Sequence, residues 1–306
     1  MSNPVTIVIP AYNRADTLPR TLRSIERQTL APARVVLVDN ASTDSTFALM
    51  SDWAAAHLEL DIVVLREEKR GACAARNRGL REVESDFVMF FDSDDEMLPT
   101  HVADFTAAIE KSPDTDIFGR SIISRNLDGN SRKLYFTARN PMFNHLFRGC
   151  LSTQRIVVRT SLARMAGGWN ETLPVWNDFE FGSRLLLLTE RVGEVAGESS
   201  VIAYQQVESI TGTSFSAKAG QWERTLDMME TDFIGERRYE LLKWLDCRRM
   251  ILAAHYRLEN SPELAEQLLR KTIDGNPHAT RLRLIYAHNL RFRRLTWLCA
   301  KILFCC

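Results

Sequence analysis

The sequence predicts an α/β fold in which helices flank a mostly parallel sheet, followed by a helical extension. Up to about residue 99, short apolar runs alternate with segments of helical periodicity, a pattern typical of buried parallel strands joined by crossover helices. Beyond Ala217 no strand pattern occurs, and amphipathic helical segments follow one another. We therefore expect a sheet domain over residues 1–215, with halves 1–99 and 100–215, and a helical extension over residues 216–306.

The predicted elements follow from the spacing of apolar residues. Asp16 would cap the first helix, whose Leu18, Leu22 and Ile25 recur at helical spacing. A second helix carries Phe47, and a third, over residues 71–83, is rich in small residues. Strands are predicted at 6–10, 35–38, 62–65, 87–91, 117–123 and 154–158, and helices of the extension at 221–229, 239–258 and 262–273.

Composition argues against several classes of function. The 306 residues include 39 basic and 39 acidic ones, so net charge predicts no general attraction to nucleic acid. Neither GxGxxG nor GxxxxGK[ST] occurs, which removes the main support for a dinucleotide oxidoreductase or a P-loop NTPase. The six cysteines lack zinc spacing, no apolar run is long enough to span a membrane, and the run at 6–10 is too short for a signal peptide. We expect a cytoplasmic protein that is soluble or bound at the inner membrane face.

Three aspartates, Asp92, Asp94 and Asp95, directly follow the fourth predicted strand. Clustered carboxylates repel one another, and Mg²⁺ or Mn²⁺ would compensate them. The alternative is an acidic turn, or caps for a helix that begins near Met97. Because the carboxyl ends of parallel strands meet at one edge of a sheet, we expect residues 11–14, 39–44 and 92–95 to converge there.

Asp178 opens an apolar helix within residues 167–188 and has two interpretations. It could cap that helix. Its neighbours Trp176 and Phe179 instead favour a carboxylate in a partly apolar pocket, where burial would raise its pKa.

The segment after Asp274 is basic and apolar and contains no acidic residue. We predict one basic amphipathic helix over residues 281–304 that lies in a membrane interface, attracted by anionic lipids and held by apolar burial. The alternative is a helix that docks on the domain with its arginines in water.

Four motifs in order resemble the GT-A fold glycosyltransferases of family 2: TIVIPAYNRADTL, VVLVDNASTDST, GACAARNRGL and FFDSDDEMLP. The segment GGWNETLPVWNDFEF, followed by Arg184, is similar to the family's glycine pair and acidic motif. The resemblance covers residues 5–211. It implies a GT-A catalytic domain whose half 1–99 binds the nucleotide and whose half 100–215 binds the acceptor. The implied reaction is an inverting transfer from a nucleotide-diphospho-sugar, expected to be a UDP-sugar, with Mg²⁺ or Mn²⁺, to a glycan or lipid-linked acceptor of cell-surface polysaccharide synthesis.

The resemblance also implies roles for single residues. Asp178 would be the catalytic base, and Asp92 and Asp94 would be metal ligands, with Asp92 holding the ribose as the alternative. Asp95 would support them. Donor-binding residues would include the base-stacking Tyr12 and a reader of the base edge at Asp39 or Asn40; the full set is Pro10, Tyr12, Asn13, Arg14, Asp39, Asn40, Arg76, Asn77, Asp92 and Ser93.

Three positions depart from the family's pattern. Asn177 precedes the base where Glu is frequent, so Glu180 is a second candidate for the base. Val207 stands where many members carry His, so the contact would be absent or supplied by Gln205, Gln206 or Glu208. Asn40 stands where uridine-specific relatives frequently have Asp, which leaves a dTDP-sugar open.

Two other functions are open at the level of sequence. A nucleotidyltransferase on a similar sheet usually has a glycine-rich loop after the first strand, and AYNRADTL has no glycine. A sugar-nucleotide-binding protein without catalysis, attached to a membrane assembly, would explain Asn177 and Val207.

Overall fold

A computed structural model describes residues 3–206, 214–292 and 295–305. The chain divides into two compact units, the first made of residues 1–141 and 150–207 and the second of residues 142–149 and 208–306. The sheet domain and the helical extension thus fall in different units, and residues 142–149 group with the helices.

The strands of the first unit form two sheets. In chain order they are β1 Val5–Ala11, β2 Arg34–Asp39, β3 Ile62–Arg66, β4 Phe87–Phe90, β5 Glu96–Met97, β6 Ile117–Gly119, β7 Ile122–Arg125, β8 Ser131–Leu134, β9 Ile156–Arg159, β10 Val192–Glu194 and β11 Val201–Tyr204.

The larger sheet has the order β10-β6-β9-β4-β1-β2-β3. All its neighbouring strands run parallel except β9, which is antiparallel to β4 and β6. The smaller sheet has the order β5-β11-β7-β8. The predicted mostly parallel sheet is confirmed, with a difference at 117–123: β6 and β7 lie in different sheets, and Arg120 is buried between them.

Helices cover the larger sheet and share its core. They are α1 Leu18–Glu26, α2 Thr46–Ala56, α3 Ala72–Arg81, α4 His101–Lys111, α6 Thr160–Met165 and α7 Asn177–Leu188. The predicted cap of α1 is wrong by one residue, because Thr17 rather than Asp16 precedes the helix. The small residues of α3 have a packing reason: a Cβ on Gly79 would lie 2.3 Å from Cγ1 of Val8 in β1.

The second unit is helical. It contains most of α5 Pro141–Arg148, then α8 Ala219–Gly235, α9 Leu242–Leu258, α10 Pro262–Ile273, α11 Ala279–Phe292 and α12 Thr296–Cys305. The ring of Trp244 lies edge-on to Phe143, Phe147 and Phe304, with centroids 5.1, 5.8 and 5.6 Å away. The prediction of one helix over 281–304 is wrong, because two helices cover that segment. Within residues 3–206, 214–292 and 295–305, every helix is too short or too polar to span a bilayer.

Candidate active site

Polar loops after β1 and β2 are bonded to each other at the carboxyl edge of the larger sheet. The backbone N–H of Asn13 donates to Oγ of Ser42 at 3.0 Å, and Oδ1 of Asn13 accepts from the N–H of Thr43 at 2.8 Å. Asn13 has φ of 49°, in the left-handed region that Asn tolerates. The N–H of Arg14 donates to Oγ1 of Thr46 at 2.8 Å. These bonds bring together the first two of the three polar segments expected there.

The third segment, residues 92–95, contacts the first through an ion pair. The guanidinium of Arg14 lies 3.8 Å from a carboxylate oxygen of Asp94. One oxygen of Asp92 accepts from the buried Arg76 at 2.8 Å, and the other accepts from the side-chain amide of Gln154. Burial first, and Asp92 second, raise the pKa of Asp94 to about 6. No motif marks Gln154, which was expected only as the first residue of a predicted strand.

Asp95 ties the same loop to the smaller sheet. Its Oδ1 accepts from the N–H of Tyr204 at 2.8 Å, while its buried Oδ2 has no hydrogen-bond partner among the described residues. Burial, Asp92 and Asp94 all raise the pKa of Asp95. Arg20, another residue that motif reasoning missed, donates to the carbonyl of Asp94 and lies 3.8 Å from the centre of the Tyr204 ring.

The carboxylates of Asp92 and Asp94 fit a cation held jointly with phosphate oxygens. Residues 3–206, 214–292 and 295–305 contain no group of three or more His, Cys, Asp or Glu placed to hold a metal ion. Mg²⁺ commonly takes one or two carboxylates and completes its octahedron with substrate phosphates and water. The raised pKa of Asp94 and the unpartnered oxygen of Asp95 indicate more negative charge than the neighbouring arginines satisfy.

Asp39 and Asn40, the two candidates for reading a base, differ in what they already bind. The amide of Asn40 is used: its Nδ2 donates to the carbonyls of Glu67 and Lys69 at 3.0 and 2.8 Å, and its Oδ1 accepts from the N–H of Gly71 at 2.7 Å. Asp39 is fully buried, and its Oδ1 has no partner in the described ranges. A buried carboxylate oxygen without a donor is a vacant acceptor at the end of β2.

Arg76 and Asn77 are neighbours on α3 but bind different parts of the protein. Arg76 is 6% exposed, donates to Asp92, and has its guanidinium 4.4 Å from the centre of the Trp169 ring. Asn77 instead holds the loop before α7, since it exchanges hydrogen bonds of 2.8 and 2.7 Å with the backbone of Trp169. A Cβ on Gly168 would lie 2.5 Å from Oδ1 of Asn77, so the glycine pair permits this contact.

Asp178 lies in the first turn of α7 and is half-buried. Burial raises its pKa, the positive charge of Arg76 lowers it, and Asp92 raises it again. Arg76 donates to Oδ1 of Asn177, the residue before Asp178, at 3.4 Å, which puts the start of α7 beside Arg76. Oδ1 of Asp178 accepts from the N–H of Phe179 at 2.8 Å. Trp176, not Asp178, occupies the cap position of α7, and its φ is 50°.

Glu180, the second candidate for a base, is committed to Arg184. Its two carboxylate oxygens accept from Nε and a terminal nitrogen of Arg184 at 2.6 and 2.8 Å, and Glu180 is 1% exposed. Arg184 also donates to the carbonyls of Ala166 and Gly168. The ion pair therefore holds the glycine turn against α7.

The remaining expected residues lie around the same edge. Pro10 belongs to β1, Ser93 is buried beside Asp92, and Tyr12 is 41% exposed with Arg70 5.3 Å from its ring centre. An exposed ring at this edge is free to stack on a flat ligand. Gln205 and Gln206 follow β11, while Val207 and Glu208 lie outside the described residues.

The chain is similar to known glycosyltransferases in sequence and in structure. An uncharacterised glycosyltransferase of Haemophilus influenzae is 25% identical over 70% of this chain and 69% of its own. One of Bacillus subtilis is 38% identical over 35% of this chain, and the match spans only 38% of that relative's length. Crystalline Staphylococcus aureus TarS 1–349 in complex with UDP superposes with a TM-score of 0.65 at 18% identity, over 94% of this chain and 89% of that one.

A mannosyltransferase of Pyrobaculum calidifontis, solved in complex with GDP-Man and Mn²⁺, gives a TM-score of 0.60 at 18% identity, over 99% of this chain and 85% of that one. At these identities the structural matches establish the GT-A fold. The model of "Glycosyl transferase family 2" matches residues 6–165, more than half of the chain. The matched range includes β1 without Val5, all of β2 to β4, and the loop of Asp92, Asp94 and Asp95. The chain therefore belongs to glycosyl transferase family 2.

Proposed function

We propose that the protein is an inverting, metal-dependent glycosyltransferase that moves a sugar from a UDP-sugar to a glycan or lipid-linked acceptor in cell-surface polysaccharide synthesis. The observation that carries the proposal is the meeting of Arg76, Asp92 and Asp94 at the edge of the sheet where β2 ends in Asp39, with the start of α7, which carries Asp178, beside Arg76. Family membership supports the class of reaction.

The donor nucleotide is the part with the most specific support. The vacant Oδ1 of Asp39 is suited to accept the ring N–H of uracil or thymine. Asn40 does not offer a free amide for that purpose, since both ends of it bind the segment 67–71. Tyr12 would supply a face for the base. Complexes of TarS with UDP and UDP-GlcNAc support a uridine donor, and the mannosyltransferase complex with GDP-Man shows that this fold also takes a guanine donor.

Asp92 and Asp94 would hold Mg²⁺ or Mn²⁺ together with the diphosphate, and the bound ion would stabilise the negative charge that develops on the leaving nucleoside diphosphate. Arg76 keeps Asp92 oriented through their 2.8 Å hydrogen bond. Gln154 holds the second oxygen of the same carboxylate. Asp95 would not bind the metal itself. It accepts a hydrogen bond from the backbone N–H of Tyr204 and so would fix the loop that carries Asp92 and Asp94.

Asp178 would take the proton from the acceptor hydroxyl as that oxygen attacks the anomeric carbon from the face opposite the diphosphate. Attack from that face inverts the configuration. Burial makes the carboxylate more basic, which suits a general base, and Arg76 keeps it from binding a proton too tightly. Glu180 is unsuited to this role because Arg184 occupies both its oxygens.

For the acceptor we propose only a class of molecule, a glycan or a lipid-linked molecule. Mycobacterial relatives, 28% identical over 58% of this chain, bear the name PGL/p-HBAD biosynthesis glycosyltransferase, which supports a role in a biosynthetic pathway. We propose a peripheral association with the inner membrane face through residues 281–304.

The test is release of nucleoside diphosphate from a panel of UDP-, dTDP- and GDP-sugars, with and without Mn²⁺, in the presence of an acceptor extract. We expect turnover with a UDP-sugar and loss of it when the metal is chelated. Asp178→Asn should lower kcat by about 10²- to 10⁴-fold while UDP still binds, and Asp94→Ala should abolish the metal response. Asp128→Asn, which changes an exposed carboxylate of the β7–β8 turn, is the matched control.

Wild-type turnover in both site variants would contradict the assigned roles. Binding of UDP-sugar by calorimetry, without hydrolysis or transfer to any acceptor, would favour the non-catalytic alternative. Pyrophosphate formed from a sugar phosphate and a nucleoside triphosphate would favour the nucleotidyltransferase.

A further inference from the structure

The second unit leaves an apolar stripe exposed along α12. Leu295, Leu298 and Ile302 are 59%, 39% and 57% exposed. Leu298 and Ile302 are four residues apart and lie on one side of α12, and Leu295, with φ of 60°, directly precedes the helix; we call the three the α12 stripe. Phe292, the last residue of α11, is also more than half exposed. A group of exposed large apolar side chains indicates an interaction surface, whereas single exposed leucines are common on any protein.

The opposite side of α12 already supplies the packing that the helix needs. Ala300 and Phe304 are buried, and the ring of Phe304 lies 5.6 Å from Trp244 and 5.3 Å from His278. Two faces of one helix are thus apolar, and only one of them packs against the unit. The stripe is not required to hold α12 in place.

Positive charge is concentrated in the same part of the chain. Residues 214–274 contain eleven acidic and ten basic residues, whereas residues 275–306 contain six basic residues and no acidic one. Arg281 and Arg283 on α11 are exposed, as are Arg291 and, between two members of the α12 stripe, Lys301. The neutral overall charge of the protein hides this local excess.

We propose that the exposed side of α11 and α12 binds the surface of an anionic phospholipid bilayer. The α12 stripe and Phe292 would enter the boundary between headgroups and acyl chains, and the exposed arginines and Lys301 would contact lipid phosphates. A second copy of this chain is a poorer occupant, because a symmetric interface would bring the same basic groups against each other. The inference rests on the peripheral association proposed above and gives it a surface and a lipid class, and it does not depend on sugar transfer.

The test is cosedimentation of the full chain with vesicles of phosphatidylcholine alone or mixed with phosphatidylglycerol. Wild-type protein should bind the mixed vesicles, bind phosphatidylcholine weakly, and lose affinity as salt rises. Leu295→Ser/Leu298→Ser/Ile302→Ser should lower the partition coefficient at least tenfold, since apolar burial is lost. Arg291→Gln/Lys301→Gln should lower it by about fivefold per residue.

Leu58→Ser/Lys111→Gln is the matched control, because both side chains are exposed on the first unit; it should bind like the wild type. The charge variant keeps every apolar contact, so it tests the proposal even if the serine variant folds poorly. Equal binding to both kinds of vesicle, or unchanged binding by both variants, would overturn the proposal. A dimer in sedimentation velocity that the serine variant dissociates, without any vesicle binding, would assign the stripe to a second copy instead. Nucleotide release without vesicles should be unchanged in all these variants, which separates this proposal from that of sugar transfer.

Discussion

Acid should destabilise the protein through one buried histidine. His101, the first residue of α4, is 1% exposed, with its Nδ1 paired to Oγ of Ser200 at 2.7 Å and its ring 5.0 Å from that of Phe105. Burial, and then the charge of Arg120, lower the pKa of His101 to about 3, and Asp104 opposes them only in part. The folded protein therefore keeps His101 neutral at any pH above about 3.

The size of the effect follows from linkage. In the unfolded chain the pKa of a histidine is about 6.5, so above that pH both states are neutral and His101 contributes no pH dependence. Below it the unfolded state binds a proton that the folded state does not, and each pH unit costs about 1.4 kcal/mol until the folded pKa is reached. Between pH 7 and pH 5 the loss from His101 is about 2 kcal/mol.

His101→Phe should remove this loss. A phenyl ring suits the neighbouring Phe91 and Phe105, and Oγ of Ser200 keeps its hydrogen bond from Arg120 at 3.1 Å. We expect urea unfolding to show the wild type losing about 2 kcal/mol more than the variant between pH 7 and pH 5. Parallel losses in the two proteins would mean that the folded state protonates His101, and would refute the reasoning.

Three further changes test the site and its support. Asp39→Ala should weaken UDP binding by about ten- to a hundredfold in calorimetry, because a hydrogen bond to a charged group is lost; unchanged affinity would remove Asp39 from the base pocket. Arg76→Gln should move the acid limb of the kcat/KM profile to higher pH, since the positive charge that lowers the pKa of Asp178 is gone and the base binds its proton more readily; a shift to lower pH would contradict that assignment. Gly79→Ala should lower the free energy of unfolding by about 1–3 kcal/mol, because its Cβ would overlap Val8; a thermal melt that does not change would show that α3 can move away from β1.

The fold could be predicted well where strands are buried on both faces. Such strands leave continuous apolar runs, and β1 to β4 lie within about a residue of the predicted ranges. The run at 117–123 was misleading because Arg120 interrupts it. That side chain bonds Asp104, Ser200 and the carbonyl of Ala196, and the chain moves to the second sheet there. The partners of a buried charged side chain are distant in sequence, so the spacing of apolar residues cannot predict that Arg120 is buried.

Choices between neighbouring polar residues depended on tertiary contacts. The sequence left open whether Asp39 or Asn40 reads the edge of the nucleotide base. It favoured Asp178 as the catalytic base and kept Glu180 as a second candidate. The structure separates each pair by what the protein itself already binds: Asn40 bonds the segment 67–71, and Glu180 bonds Arg184. The roles themselves stay predictions until the variants are measured.

The alternation of strands and helices, the family and the position of the acidic loop could be predicted from the amino-acid sequence alone, because apolar period and motif order are local properties of a chain. Which hydrogen-bond acceptors lack a donor among the described residues, and which apolar side chains stay exposed, could be known only from the folded chain. Gln154 reaches Asp92, Phe304 is buried on Trp244 and Ile302 is not. Hydrogen bonding and burial are properties of pairs of residues far apart in sequence, and only folding brings such pairs together.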